Sequence, residues 1–120
     1  MHIKAIDETG HDRDVDLEVT LLERMDRVMG EIIKELEEAN QEVIITIFGD
    51  HTTPPLVGDH TSEAGPIVIG SSLSFLGKRE FIFSDKTEKF DEIECAKGLL
   101  GRIAGIEILK FLINLRDNYN

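Results

Sequence analysis

Five side chains in this sequence are of the types that hold divalent metals through oxygen and nitrogen: Asp7, His11, Asp50, His51 and His60. Asp7 and His11 are four residues apart, Asp50 and His51 are adjacent, and His60 follows nine residues later beside Asp59, beyond Pro54-Pro55. Carboxylate and imidazole donors without thiolate suit Mn²⁺, Zn²⁺, Fe²⁺ or Co²⁺ better than copper(I) or an iron–sulfur cluster. An adjacent Asp-His pair also suits a two-metal centre, because one short turn sets a ligand on each side. Taken singly, each residue has a plainer reading. Asp50, Thr52 and Thr53 suit turn chemistry, His60 suits an exposed loop, and His2 reads as a strand residue with a satisfied ring. Taken together, five donors near probable strand ends favour a metal.

Other chemistries fail on residue type or spacing. The single cysteine, Cys95, excludes an internal disulfide and a Cys-cluster zinc site, and with no histidine near it in sequence it reads as a buried thiol. A P-loop needs a glycine four residues before Gly-Lys-Ser/Thr, but Gly77-Lys78 is followed by Arg79 and Ser72 stands at the first glycine position. Neither a G-x-G-x-x-G turn nor a G-x-S-x-G nucleophile elbow occurs. Cys95-Ala96-Lys97-Gly98-Leu99-Leu100-Gly101-Arg102 has glycines and two cations that suit an anion, and equally suits a glycine-rich link into a last helix.

The elements that must position these donors alternate. His2 to Ile6 reads as a short strand ending at Asp7, and Asp7 to Asp12 as a loop. From about Asp16 to Ala39, Leu21, Leu22, Met25, Val28, Met29, Ile32, Ile33 and Leu36 recur at three- and four-residue steps, predicting a helix with one apolar stripe. The β-branched run Val43 to Phe48 predicts a central strand covered on both faces, stopped by Gly49-Asp50-His51. Ile67 to Ile69 predicts a shorter strand, Gly70 to Gly77 a Gly/Ser-rich link, and Glu80 to Phe83 an edge strand. A final helix from about Ile106 to Leu115 would place Ile106, Leu109, Leu112 and Ile113 on its buried face. This order predicts an α/β fold with a mostly parallel sheet and helices on its faces. Ligands would then gather beyond the carboxyl ends of the strands.

At 120 residues the chain has room for one domain, expected over 1–120. Against 13 Lys+Arg stand 24 Asp+Glu, a net charge of −11. That field repels phosphate backbones and anionic lipid, so neither nucleic acid nor a membrane is expected as a partner, and it concentrates divalent cations. No apolar run reaches the roughly 18 residues that span a bilayer, and Met1-His2-Ile3-Lys4-Ala5 lacks the build of a signal peptide. A cytoplasmic chain is expected. Its opening in a strand-like segment gives the expectation of a piece cut from something longer.

Three blocks, in order along the chain, carry a resemblance. His2-Ile3-Lys4-Ala5-Ile6-Asp7-Glu8-Thr9-Gly10-His11-Asp12 resembles the HIKATDEAGHD segment of archaeal-type, cofactor-independent phosphoglycerate mutases. Gly49-Asp50-His51-Thr52-Thr53-Pro54-Pro55, with Asp59-His60-Thr61, resembles that family's GDHSTP and DHS blocks. Phe90-Asp91-Glu92 and Cys95-Ala96-Lys97-Gly98 to Ile103 resemble its C-terminal tail. The resemblance implies the C-terminal part of an alkaline-phosphatase-like three-layer fold that carries two divalent metals, Mn²⁺ or Zn²⁺. By position, Asp7, His11 and His60 would ligate one metal, and Asp50 with His51 would contribute to the second.

In that family a serine nucleophile moves a phosphoryl group between the hydroxyls of 3- and 2-phosphoglycerate, a glycolytic step, and the metals activate the serine and neutralise charge. The nucleophile, further ligands and the substrate-gripping domain come from an N-terminal segment with no counterpart in these residues. Thr52, Leu99 and Gly65-Pro66 also depart from the family pattern, and nothing marks Ser62 as a replacement nucleophile. The expectation is a metal-binding C-terminal portion of such a mutase, with no catalytic nucleophile of its own and inactive alone. It would be completed by an N-terminal partner chain that brings phosphoglycerate chemistry, or be covered by homo-oligomerisation. The alternatives are a superfamily phosphatase or phosphodiesterase, and a non-catalytic, self-associating metal-binding domain.

Overall fold

The computed structural model describes Met1–Asn118, in the order α1 (Ala5–Asp12), α2 (Val15–Glu38), β1 (Ile44–Phe48), β2 (Ile67–Ser71), α3 (Ser72–Phe75), α4 (Glu92–Cys95) and α5 (Gly105–Asn118). These elements form two compact units. One comprises Met1–Gln41 and His51–Ala64, the other Glu42–Asp50 and Gly65–Asn120.

In the first unit, the segment expected to be a strand followed by a loop is a helix instead. Residues 2–4 have no regular structure, and α1 begins at Ala5. Asp7 and Glu8 lie in its first turn, where carboxylates oppose the positive end of the helix dipole. The Thr9 hydroxyl donates to the Ile6 carbonyl (2.7 Å), and Thr9 and Gly10 are buried. Arg13 ends the helix with φ 60°. Its N–H donates to Gly10 O and the next N–H, from Asp14, to Thr9 O, which satisfies the terminal carbonyls. The Asp14 side chain at once accepts from Leu17 N (3.0 Å) and caps α2. Two residues therefore turn one helix into the next.

Helix α2 matches its expected span to within a residue at each end. Ile33 is its buried residue, and Leu21, Met25, Met29, Ile32 and Leu36 are half-buried, whereas Leu22 and Val28 face solvent. The unit's second segment, 51–64, is a loop pinned by an antiparallel bridge between Thr52 and Thr61. There the Thr61 N–H donates to Thr52 O (3.0 Å) and the two hydroxyls lie 2.7 Å apart.

In the second unit, β1 and β2 lie where the β-branched runs predict, but they pair antiparallel, from Ile44 opposite Ser71 to Phe48 opposite Ile67. The expected mostly parallel sheet is not what is seen: among the described residues the sheet has these two strands. Continuous hydrophobicity predicts burial on both faces and carries no information on partner direction. The expected Gly/Ser link at 70–77 is instead the end of β2 running into α3, started by a capping box in which Ser71 and Ser74 bond each other's backbone N–H. The expected edge strand at 80–83 is absent. Phe81 is buried, and its carbonyl accepts from both the N–H and hydroxyl of Ser84, closing a turn.

Helix α5 forms, but its apolar face is rotated from the expected one. Leu115 is buried with Ile108, Phe111 and Leu112 half-buried, while Ile106 and Leu109 are exposed. The stretch Ile106 to Ile113 is apolar except at Glu107 and Lys110, so several faces satisfy the helical period.

Candidate metal centre

The centre forms within the first unit from α1 and the loop 51–64. Asp7 and His11 are one helical turn apart, so α1 alone sets both on one face. The loop supplies His51, Thr53, Gly58 and His60. What draws the two together is a close backbone approach: a Cβ on Gly10 would lie 2.3 Å from the Thr53 carbonyl oxygen. Only a residue without a side chain lets α1 pass so near the loop. A second tie is Arg13, whose Nη2 donates to Val57 O (3.0 Å).

Asp7 Oδ1 lies 3.5 Å from His11 Nε2 and 3.3 Å from His60 Nε2, and the two Nε2 atoms are 3.2 Å apart. Ligand atoms at about 2.1 Å from a tetrahedral ion are separated by roughly 3.4 Å, so this near-equilateral triangle has the dimensions of one face of a coordination shell. Among the described residues, Asp7, His11 and His60 are the group of such donors that converges this closely. The donor chemistry also fits. His11 Nδ1 sits 3.1 Å from the Gly58 carbonyl, which can only accept, so Nδ1 carries the proton and Nε2 turns its lone pair toward Asp7 and His60. Such outer hydrogen bonds are how ligating histidines are oriented.

His51 stands beside the triangle. Its ring stacks on that of His60 at 3.8 Å between centroids, and its Nδ1 is 4.0 Å from Asp7 Oδ1. The Thr53 hydroxyl lies between them, donating to Asp7 Oδ1 (2.8 Å) and standing 3.2 Å from His51 Nδ1. That hydroxyl is the first cause of an Asp7 pKa below the ordinary carboxylate value; partial desolvation opposes it, and His11, His51 and His60 add to the lowering. Asp7 is thus held ionised, as a ligand must be.

Of the five residues expected from sequence, four are therefore brought to one place: Asp7, His11, His51 and His60. Asp50, two residues past the end of β1, belongs to the second unit. Asp59 turns inward on its own loop, accepting from His60 N (2.8 Å). Thr53, Gly10, Gly58 and Arg13 take part without having been singled out. Thr53 reads in sequence as turn chemistry, and no spacing rule links it to Asp7, 46 residues away.

A family profile described as the metalloenzyme superfamily matches residues 1–115. The chain is 36% identical over 118 residues to a 2,3-bisphosphoglycerate-independent phosphoglycerate mutase of Methanopyrus kandleri, and 37% identical over 117 residues to one of Pyrococcus horikoshii. Each alignment takes in 98% of this chain and the C-terminal 26% of the relative, so the chain spans about a quarter of the length of the curated relatives it matches. A solved Pyrococcus horikoshii protein superposes with a TM-score of 0.76 and 36% identity, over 93% of this chain and 31% of that one.

Proposed function

Because this chain belongs to the metalloenzyme superfamily, we propose that Asp7, His11 and His60 hold a divalent cation, Mn²⁺ or Zn²⁺, with His51, beside them, contributing to a second. In this reading the chain is the C-terminal, metal-binding portion of a cofactor-independent phosphoglycerate mutase that interconverts 3- and 2-phosphoglycerate in the cytoplasm. The observation that carries the reading is the triangle of Asp7 Oδ1, His11 Nε2 and His60 Nε2, with sides of 3.2 to 3.5 Å. That the relatives are phosphoglycerate mutases supports the substrate, and the chain's net charge of −11 favours a cation over a nucleic acid or membrane partner.

A bound metal pair would lower the pKa of a hydroxyl nucleophile and neutralise charge on the transferring phosphoryl group. This chain's residues contribute the holding. Asp7 supplies the anionic oxygen, His11 a nitrogen whose tautomer is set by the Gly58 carbonyl, and His60 the third donor from the loop. No residue here matches the family's serine nucleophile. The 120 residues alone are therefore expected to leave phosphoglycerate unchanged, and a matching N-terminal half is expected to restore turnover when mixed with them.

Calorimetric titration of the metal-stripped chain with Mn²⁺ and Zn²⁺, beside a His11→Ala, His60→Ala variant, tests the reading. Binding in the wild type that disappears in a folded variant is the expected result. No binding by the folded wild-type chain would overturn the metal assignment.

A further inference from the structure

The Thr53 hydroxyl has one proton and two neighbours that both seek it. Asp7 Oδ1 lies at 2.8 Å and His51 Nδ1 at 3.2 Å. An ionised carboxylate only accepts, and charge-assisted bonds are the stronger ones, so the proton goes to Asp7. The hydroxyl oxygen is left as an acceptor, and a contact with His51 then requires that Nδ1 carry the ring proton. Nε2 of His51 thereby becomes the lone-pair nitrogen. The same logic fixes His11, where the Gly58 carbonyl demands Nδ1–H.

We propose that Thr53 is a positioning residue of this centre, its hydroxyl holding the Asp7 carboxylate on one side and setting His51 as the Nδ1–H tautomer on the other. One hydroxyl thus bears on two residues assigned above to different metals, so the inference rests on that assignment for its consequence and on hydrogen bonding for its geometry. The seat is rigid. The Thr53 carbonyl lies against Gly10 in the close approach that no side chain would allow. Thr53 itself is half-buried, directly beyond the Thr52–Thr61 bridge. A side chain of the same shape without the hydroxyl would fill the space and satisfy neither neighbour.

The test uses the full chain labelled with ¹⁵N-histidine, as wild type, Thr53→Val and Thr53→Ser, without metal and then titrated with Zn²⁺ alone. In the metal-free wild type at neutral pH, the His51 nitrogen shifts are expected to report Nδ1–H. In Thr53→Val the His51 ring is expected to lose that preference and Zn²⁺ affinity to fall about 10- to 100-fold, as when an outer-shell partner is removed. Thr53→Ser, which keeps the hydroxyl, is expected to restore both. A wild-type His51 protonated at Nε2 would overturn the proposal without recourse to any variant. So would a folded Thr53→Val chain with unchanged tautomer and unchanged affinity. If the wild type binds no Zn²⁺, the metal assignment falls, while the metal-free tautomers of wild type and Thr53→Val still decide the role of Thr53.

Discussion

Gly10 carries more of the site than its lack of a side chain suggests. A Cβ there would meet the Thr53 carbonyl oxygen at 2.3 Å, a backbone atom that cannot swing aside. Gly10→Ala is therefore expected to push α1 off the loop and abolish metal binding, even though alanine is the better helix former by roughly 1 kcal/mol. Circular dichroism retaining the helix signal, together with lost calorimetric binding, would be the matching result; retained binding would contradict the close approach. In the second unit, Asp85 anchors another loop. Its carboxylate accepts from the N–H and hydroxyl of Thr87 and, at 3.0 Å, from Leu99 N. These bonds, the Thr87 hydroxyl first, hold its pKa below the ordinary 3.8. A carboxylate whose folded pKa is depressed stabilises fully above its unfolded value and loses that contribution as pH falls toward the folded one. Thermal melts of wild type and Asp85→Asn are thus expected to differ most above pH 4 and to converge on further acidification; a gap constant with pH would refute this. Residue identity alone marked the candidate donors, because carboxylate and imidazole are chemically distinctive. Gly10 and Thr53 are common residues whose importance arises from what they touch.

At the scale of elements, periodicity located the long helix and both strands, and it was least informative where the period was ambiguous or absent. In α5 the apolar residues admit more than one face, and burial chose the one carrying Leu115. Leu115→Ala is expected to destabilise the chain by about 2–5 kcal/mol through the cavity it leaves. Leu109→Ala, on the exposed side, should cost less than about 0.5 kcal/mol. Equal losses in urea unfolding would mean that both faces of α5 are covered. Helix α1 escaped the sequence reading for a different reason. Eight residues with Gly10 and two β-branched positions have weak intrinsic helicity. The helix is secured by its end bonds at Arg13 and Asp14 and by packing on α2, none of which is visible as a period.

Among the described residues of the whole molecule, much apolar surface is exposed: Leu56, Ile106, Ile93, Leu99 and Leu109 are all at least 67% accessible, and Ile33, Phe81 and Leu115 are the buried apolar side chains. Whatever binds the folded state and not the unfolded one adds to its stability. A ligand present at 100 times its dissociation constant adds about 2.7 kcal/mol. Saturating Mn²⁺ or Zn²⁺ is therefore expected to raise the melting temperature by several degrees, with a chelator reversing the gain. No rise in a chain that calorimetry shows to bind metal would mean that unfolded histidines and carboxylates bind it as well.

The chemistry of the donors, the acidic charge balance, the extent of α2, the places of β1 and β2 and the three motif blocks were all determined by the sequence itself, because each depends on residue type or on spacing within one segment. The antiparallel pairing of β1 with β2, the folding of Ala5–Asp12 into a helix and the convergence of Asp7 and His11 with His60 were decided only by tertiary structure. Each of those depends on contacts between segments distant in sequence. The meeting of Asp7 with His60 turns on a glycine lying so near a backbone oxygen that a Cβ there would come within 2.3 Å of it, a fit no local pattern encodes.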